Sequence, residues 1–289
     1  MATRNPSVRI SPIWLVLIGI ASVQLGAGIA KTLFDEVDPE TIVWLRLVTS
    51  AVVLTLIVRP AIRGRSGSDW VVVLGFGATL GLMNWAIYQS FARIPLGIAV
   101  TIEFIGPLAL AVIGSRRARD LAWVALAAIG VALLGLEPAD LNVAGVLFAL
   151  LAGAAWAAYI LLSAQTGRRW QGLDGLAMAS VAATLLLTPV VAGTGGGGLE
   201  DGRILLLGAL VGLLSSVVPY SCEMAALRTL PPSVFSILMS LEPAAAALAG
   251  MLVVGEFLTA VQWLAVVCVV IASIGATRSR PTIAEPVPD

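Results

Sequence analysis

The sequence predicts an all-α integral membrane protein whose ten transmembrane helices form two inverted-topology five-helix repeats. Three observations lead there. Of 289 residues, 59% are hydrophobic and only 12% charged, about half the charge of a soluble domain, and the apolar residues gather into ten runs. Lys and Arg concentrate in alternate breaks between the runs. A pair of prolines recurs at a fixed offset along the chain.

The runs cover 13–33, 40–59, 70–91, 96–114, 120–136, 143–163, 174–192, 204–226, 233–253 and 259–277, each near the roughly 20 residues needed to cross a bilayer. The first follows Arg4 and Arg9 as a signal peptide would. It is too long for a secretory core, however, and carries Gln24 and Lys31 where a small-residue cleavage site would lie. The second run holds Arg46. The third contains the small pair Gly77/Gly81 and the polar pair Asn84/Tyr88, four apart and so on one helix face. The fourth is entered at Ile94-Pro95 and holds Glu103 and Pro107. The fifth follows Arg116, Arg117 and Arg119, and the sixth carries Trp156, Tyr159 and Ser163 on one face. The seventh lies between Arg168-Arg169 and the glycine stretch 195–198, which lacks the Lys and Ser/Thr of a phosphate-binding loop and reads as a flexible connector. The eighth has a second small pair, Gly208/Gly212, then Pro219, Tyr220 and Glu223. The ninth is entered at Leu230-Pro231 and holds Glu242-Pro243, and the tenth ends before Arg278. Small pairs of this kind let helix backbones approach closely.

Cytoplasmic loops retain Lys and Arg. With the N-terminus inside, thirteen of the seventeen fall on that side: Arg4, Arg9, Arg59, Arg63, Arg65, Arg116, Arg117, Arg119, Arg168, Arg169, Arg228, Arg278 and Arg280. Arg93 and Arg203 face out, and Lys31 and Arg46 lie within runs. Both termini are therefore expected in the cytoplasm. An offset of 136 places Ile94-Pro95 on Leu230-Pro231 and Gly106-Pro107 on Glu242-Pro243. The repeats this implies are 13–136 and 143–277. Each holds an odd number of crossings, so the second enters from the opposite face, as in secondary transporters that rock about a midplane site.

Composition also excludes chemistry. Histidine is absent, and Cys222 and Cys268 lie in separate apolar runs, which removes zinc sites, Cys/His nucleophiles and Ser-His-Asp triads. No catalytic residue, metal or cofactor is expected. Lys+Arg and Asp+Glu balance at 17 each, against a nucleic-acid partner.

A charge at the centre of a membrane helix costs roughly 2.5–3.5 kcal/mol, so five embedded charges are candidates: Lys31, Arg46, Glu103, Glu223 and Glu242. Lys31 either snorkels to the headgroups or belongs to a polar face with Gln24 and Gly28 that has room beside it. Arg46 offers a fork for a carboxylate, of a substrate or of an internal Glu. Pro107 and Pro243 each remove a backbone donor, freeing the carbonyls of Glu103 and Met239, so both kinks are expected to face inward. A carboxyl there can carry a proton, bind a cation or simply bond a neighbouring helix. Pro219 is the third helix break, with Glu223 four residues on. Asn84, Tyr88, Tyr159 and Tyr220 can line a pocket or pack helices. Basic groups toward the outer half and carboxylates from the centre inward suit a zwitterion.

Specific stretches resemble a known family: Gly26–Phe34 (GAGIAKTLF), Leu45-Arg46-Leu47, Pro95–Ala109 (PLGIAVTIEFIGPLA), Ser115-Arg116-Arg117, Pro219–Met224 (PYSCEM), Leu238–Ala244 (LMSLEPA) and Gly255-Glu256. From about residue 14 to 277 the chain resembles the drug/metabolite transporter superfamily in its EamA branch, and within it the bacterial threonine/homoserine exporters. The resemblance implies a ten-helix inner-membrane carrier that moves small neutral amino acids out of the cytoplasm against inward proton flow. It puts Lys31, Arg46, Glu103, Glu223 and Glu242 in recurring motifs. The chain departs from the pattern at Ser236-Ile237 and Trp85, positions that bear on substrate identity if they line the pocket. The expected mechanism is alternating access in the lipid bilayer. One of Glu103, Glu242 or Glu223 exchanges a proton for substrate, Glu103 foremost, while Arg46 and Lys31 hold the carboxylate. The rivals are a carrier for hydrophobic amines, nucleosides or purines and, remotely, an intramembrane enzyme acting on lipid-linked substrates.

Overall fold

The computed structural model describes residues 11–113, 118–134, 142–227, 229–230 and 232–278. The arginines expected at 4, 9, 116, 117, 228 and 280, and Pro231 of the repeated pair, lie outside the described residues. All described secondary structure is helical: α1 (Pro12–Thr32), α2 (Pro39–Val58), α3 (Gly67–Phe91), α4 (Leu96–Glu103), α5 (Ile105–Ile113), α6 (Ala118–Leu134), α7 (Val143–Gly167), α8 (Asp174–Gly193), α9 (Gly202–Gly212), α10 (Val218–Leu227), α11 (Pro232–Met239), α12 (Glu242–Ala249) and α13 (Ala260–Arg278). Two π-helical turns, Leu213–Val217 and Gly250–Val254, complete the order.

Eight of the helical segments are long and apolar enough to cross a membrane, and Leu96–Leu110 and Leu121–Leu133 are shorter apolar helices. The ends follow local sequence. Pro12 and Pro39 open α1 and α2, where a missing N–H costs nothing. Ser66 and Asp69 form a reciprocal capping box on α3, and Asn142 caps α7 through Gly145 N at 3.2 Å.

The fourth, eighth and ninth runs, where Pro107, Pro219 and Pro243 predict helix breaks, are each interrupted. The fourth breaks at Phe104, the eighth passes through a π turn, and the ninth breaks at Ser240-Leu241. Pro107, Pro219 and Pro243 each lie in the first turn of the helix that follows, α5, α10 and α12. They start new helices rather than bend old ones, because the first turn is where proline's missing donor is tolerated.

The helices pack as α3 on α7 and α8, α2 on α8 and α9, α1 on α10 and α12, α4 on α12, and α6 on α13. Both small-residue pairs mark close crossings. Gly77 and Gly81 face Ala179, Ala182 and Ala183 of α8, while Gly208 and Gly212 face Leu45 and Thr49 of α2. Large apolar side chains such as Leu56, Leu206 and Leu252 cover the outside. The glycine stretch 195–198 is a turn with positive φ at Gly195, Gly196 and Gly198, the last seated on Val37, so it is tighter than a loose connector.

Side-chain ties join the loops at each end. At one end Arg65 stacks 4.3 Å over Trp170 and pairs with Asp174 at 3.5 Å, while Arg169 pairs with Asp69 at 3.3 Å. At the other, Arg203 pairs with Glu36 at 2.5 Å.

Candidate functional site

A cavity of about 400 Å³ opens where the broken helices meet, within the size range of small-molecule sites. The sequence-predicted residues Gln24, Arg46, Asn84, Glu103, Tyr159, Tyr220, Glu223 and Glu242 all line it, as do Pro107 and Pro219. Lys31, Tyr88 and Pro243 do not.

Arg46 is the only Lys or Arg among the described lining residues. Its Nη2 donates to the Ser215 carbonyl at 3.2 Å. That carbonyl is available because Pro219, four residues on, has no N–H. The π turn leaves the Leu214 carbonyl free in the same way, five residues before the proline, and Ser22 Oγ donates to it at 2.7 Å. One proline thus presents two carbonyls, and α1 and α2 take one each. Tyr88 is fully buried with its ring centroid 5.7 Å from the Arg46 guanidinium carbon. It supports the arginine rather than lining the cavity. Arg46 Nε has no partner in the protein, and among the described residues no carboxylate forms an ion pair with Arg46.

Three carboxylates share the same cavity. Glu103, at the C-terminus of α4, and Glu242, at the N-terminus of α12, are each 8% exposed. Arg46 acts electrostatically on Glu103, and Glu103 and Glu223 both act on Glu242. The Glu103 carbonyl freed by Pro107 lies against Gly153 of α7, and a Cβ on Gly106 would overlap the Gly153 carbonyl. Glycine at both positions is what lets α7 cover this break.

The aromatic walls are Phe104 and Trp156, edge to face with centroids 5.1 Å apart, and Tyr159, whose hydroxyl interacts with that of Tyr220. Asn84 spends its amide on the Leu80 carbonyl at 2.8 Å, leaving its oxygen toward other partners. Ser163, expected on the Trp156/Tyr159 face, donates to Ile160 O at 3.0 Å and is not in the lining.

Lys31 corrects the expected polar face. There is no room beside Gly28, whose Cβ would meet Val253 at 3.1 Å. Lys31 Nζ instead pairs with Glu256 and donates to the Ile94 carbonyl at 2.6 Å, while Glu256 Oε2 accepts from Leu96 N at 2.8 Å. This latch ties the end of α1 to the start of α4 and the chain after the second π turn.

Sequence reasoning missed Ser215, Ser240, Ser273 and Thr277 of the lining. The proline rule applied to Pro219 finds Ser215, and the i, i+4 spacing of 236/240 and 273/277 marks hydroxyl faces. Ser236, noted as a departure from the family pattern, lines the cavity. Trp85 packs edge to face on Phe148 at 5.4 Å and does not. Among the described residues no three Cys, Asp or Glu gather as a metal site.

The EamA-like transporter family model matches residues 143–278. The chain is 40% identical over 287 residues to the threonine/homoserine exporter RhtA of Salmonella typhimurium, covering 96% of this chain and 97% of that one. It is 40% identical over 278 residues to RhtA of Escherichia coli K12, covering 94% of each. A solved crystal structure shares the fold with a TM-score of 0.58 at 18% identity, over 92% of this chain and 96% of that chain.

Proposed function

The chain belongs to the EamA-like transporter family, and on that premise we propose that it exports small neutral amino acids of the threonine/homoserine kind across the bacterial inner membrane, driven by inward proton flow. One observation carries the reading. A single arginine, held by a backbone carbonyl and unpaired with any described carboxylate, shares a cavity with three carboxylates. A zwitterion satisfies both sides: its carboxylate takes the Arg46 fork and its ammonium meets Glu103, Glu242 or Glu223. A polyanion would find one cation and three repelling charges.

Alternating access between the repeats 13–136 and 143–277 supplies the motion. The packing supports this, since α3 on α7 in one sense mirrors α10 on α1 in the other, α6/α13 and α2/α8 pair equivalent positions across the offset of 136, and α4 of the broken fourth run packs on α12 of the broken ninth. The Lys and Arg distribution puts both termini in the cytoplasm and makes the Lys31–Glu256 end the outer one. The latch then shuts the exit while the cavity extends toward Glu223 and Thr277 near the inner ends of α10 and α13. Glu103 is the foremost proton carrier, with Glu242 and Glu223 beside it.

The test is counterflow of labelled threonine in proteoliposomes with and without a pH gradient. Accumulation that rises with the gradient supports the reading. Threonine-independent counterflow of an amine, nucleoside or purine replaces it.

A further inference from the structure

The helices α11 and α13 pack together, and four hydroxyl residues in two pairs four apart line the cavity there: Ser236 of α11 with Ser240 in the break that follows it, and Ser273 with Thr277 of α13. Their hydrogen bonds are unequal. Ser240 Oγ donates to the Ser236 carbonyl at 3.0 Å and Thr277 Oγ1 to the Ser273 carbonyl at 2.9 Å, the back-bonding usual for hydroxyls in membrane helices. With their protons committed, those two oxygens are left as acceptors. Ser273 Oγ is buried and has no partner in the protein, so it retains both donor and acceptor capacity.

A buried hydroxyl left without a partner costs free energy, and this one borders a binding cavity. Lone acceptors beside an uncommitted hydroxyl match a ligand group that both donates and accepts one hydrogen bond. A methyl group meets the same wall with nothing to offer and strands Ser273. We propose that the α11/α13 wall, with Ser273 at its centre, reads the side-chain hydroxyl of the exported amino acid and selects against apolar isosteres. This rests on the amino-acid export reading above and adds the residue that sets the substrate's side chain. The carboxylate and ammonium are engaged elsewhere in the cavity, by Arg46 and the glutamates, so the hydroxyl readout is separable from them.

The experiment compares export of threonine and of valine, which replaces the hydroxyl by a methyl, in proteoliposomes of the wild type, Ser273→Ala and Ser273→Thr. The wild type prefers threonine. Ser273→Ala lowers the threonine/valine ratio of kcat/KM by about tenfold, the worth of roughly one hydrogen bond, through a higher KM for threonine with valine unchanged. Ser273→Thr keeps the hydroxyl and keeps the ratio. Parallel losses for both substrates, or an unchanged ratio in Ser273→Ala, overturn the proposal while leaving amino-acid export standing. A wild type that moves neither amino acid overturns the export reading and this proposal with it.

Discussion

Arg46 Nη2 lies 3.2 Å from the carbonyl of Ser215, the carbonyl that Pro219 leaves without its helical donor. The guanidinium is therefore positioned by an absence in the backbone of another helix, and α10 cannot be made regular without releasing it. Pro219→Ala restores an N–H that competes for Ser215. The expected outcome is a three- to tenfold higher KM for threonine, in line with one net hydrogen bond of about 1 kcal/mol, with little change in kcat. Initial-rate export in proteoliposomes measures it.

Glu103 shares the cavity with Arg46 and Glu242. Glu103→Gln keeps the shape and removes the exchangeable proton. Threonine counterflow at equal pH is expected to persist, and the extra accumulation under a pH gradient to vanish. Gradient-driven transport equal to wild type removes Glu103 from the coupling role.

The latch of Lys31 and Glu256, braced by Ile94 and Leu96, closes one end of the bundle. Lys31→Met removes the cation and leaves Glu256 unpaired, which favours states open at that end. In a background with Cys222 and Cys268 replaced, a cysteine at Asn84 is expected to be labelled by an impermeant thiol reagent from outside several times faster with Lys31→Met than without it. Equal labelling rates contradict a gating role.

Gly106 and Gly153 touch backbone to backbone where α7 covers the break after Glu103. Gly106→Ala drives a methyl into the Gly153 carbonyl, an overpacking worth roughly 1–3 kcal/mol. It is expected to lower the Tm of the purified protein by several degrees. Gly75→Ala, whose Cβ would meet Leu162 at an ordinary 3.9 Å, is the neutral comparison.

Much of this was legible in the chain. Apolar runs longer than a soluble core requires announce membrane helices, and the glycine pairs of α3 and α9 announce their close crossings. Eight of the embedded polar candidates meet in one cavity because each would otherwise face lipid. Lys31 misled because its partner, Glu256, is 225 residues away and lies in a loop. No local pattern couples them. Tyr88 shares a helix face with Asn84, yet the aromatic packing of Phe34 and Phe91 holds it behind Arg46. Pro107, Pro219 and Pro243 predict helix breaks, but not that each starts a new helix, because proline marks a lost donor without saying where the chain restarts. Ser273 escaped because its spacing to Thr277 marks a hydroxyl face without showing that the Ser273 hydroxyl lacks a partner.

Competition binding of threonine analogues to the purified protein tests the central claim most directly. Threoninol lacks the carboxylate, and the hydroxy acid that replaces the ammonium by hydrogen lacks the cation. If Arg46 and the glutamates grip the two ends of a zwitterion, each analogue displaces labelled threonine at least about tenfold less well than threonine itself, the cost of a lost charged hydrogen bond. Arg46→Ala then abolishes the difference between threonine and threoninol. Threoninol that competes as well as threonine in the wild type would show that Arg46 does not receive the substrate's carboxylate.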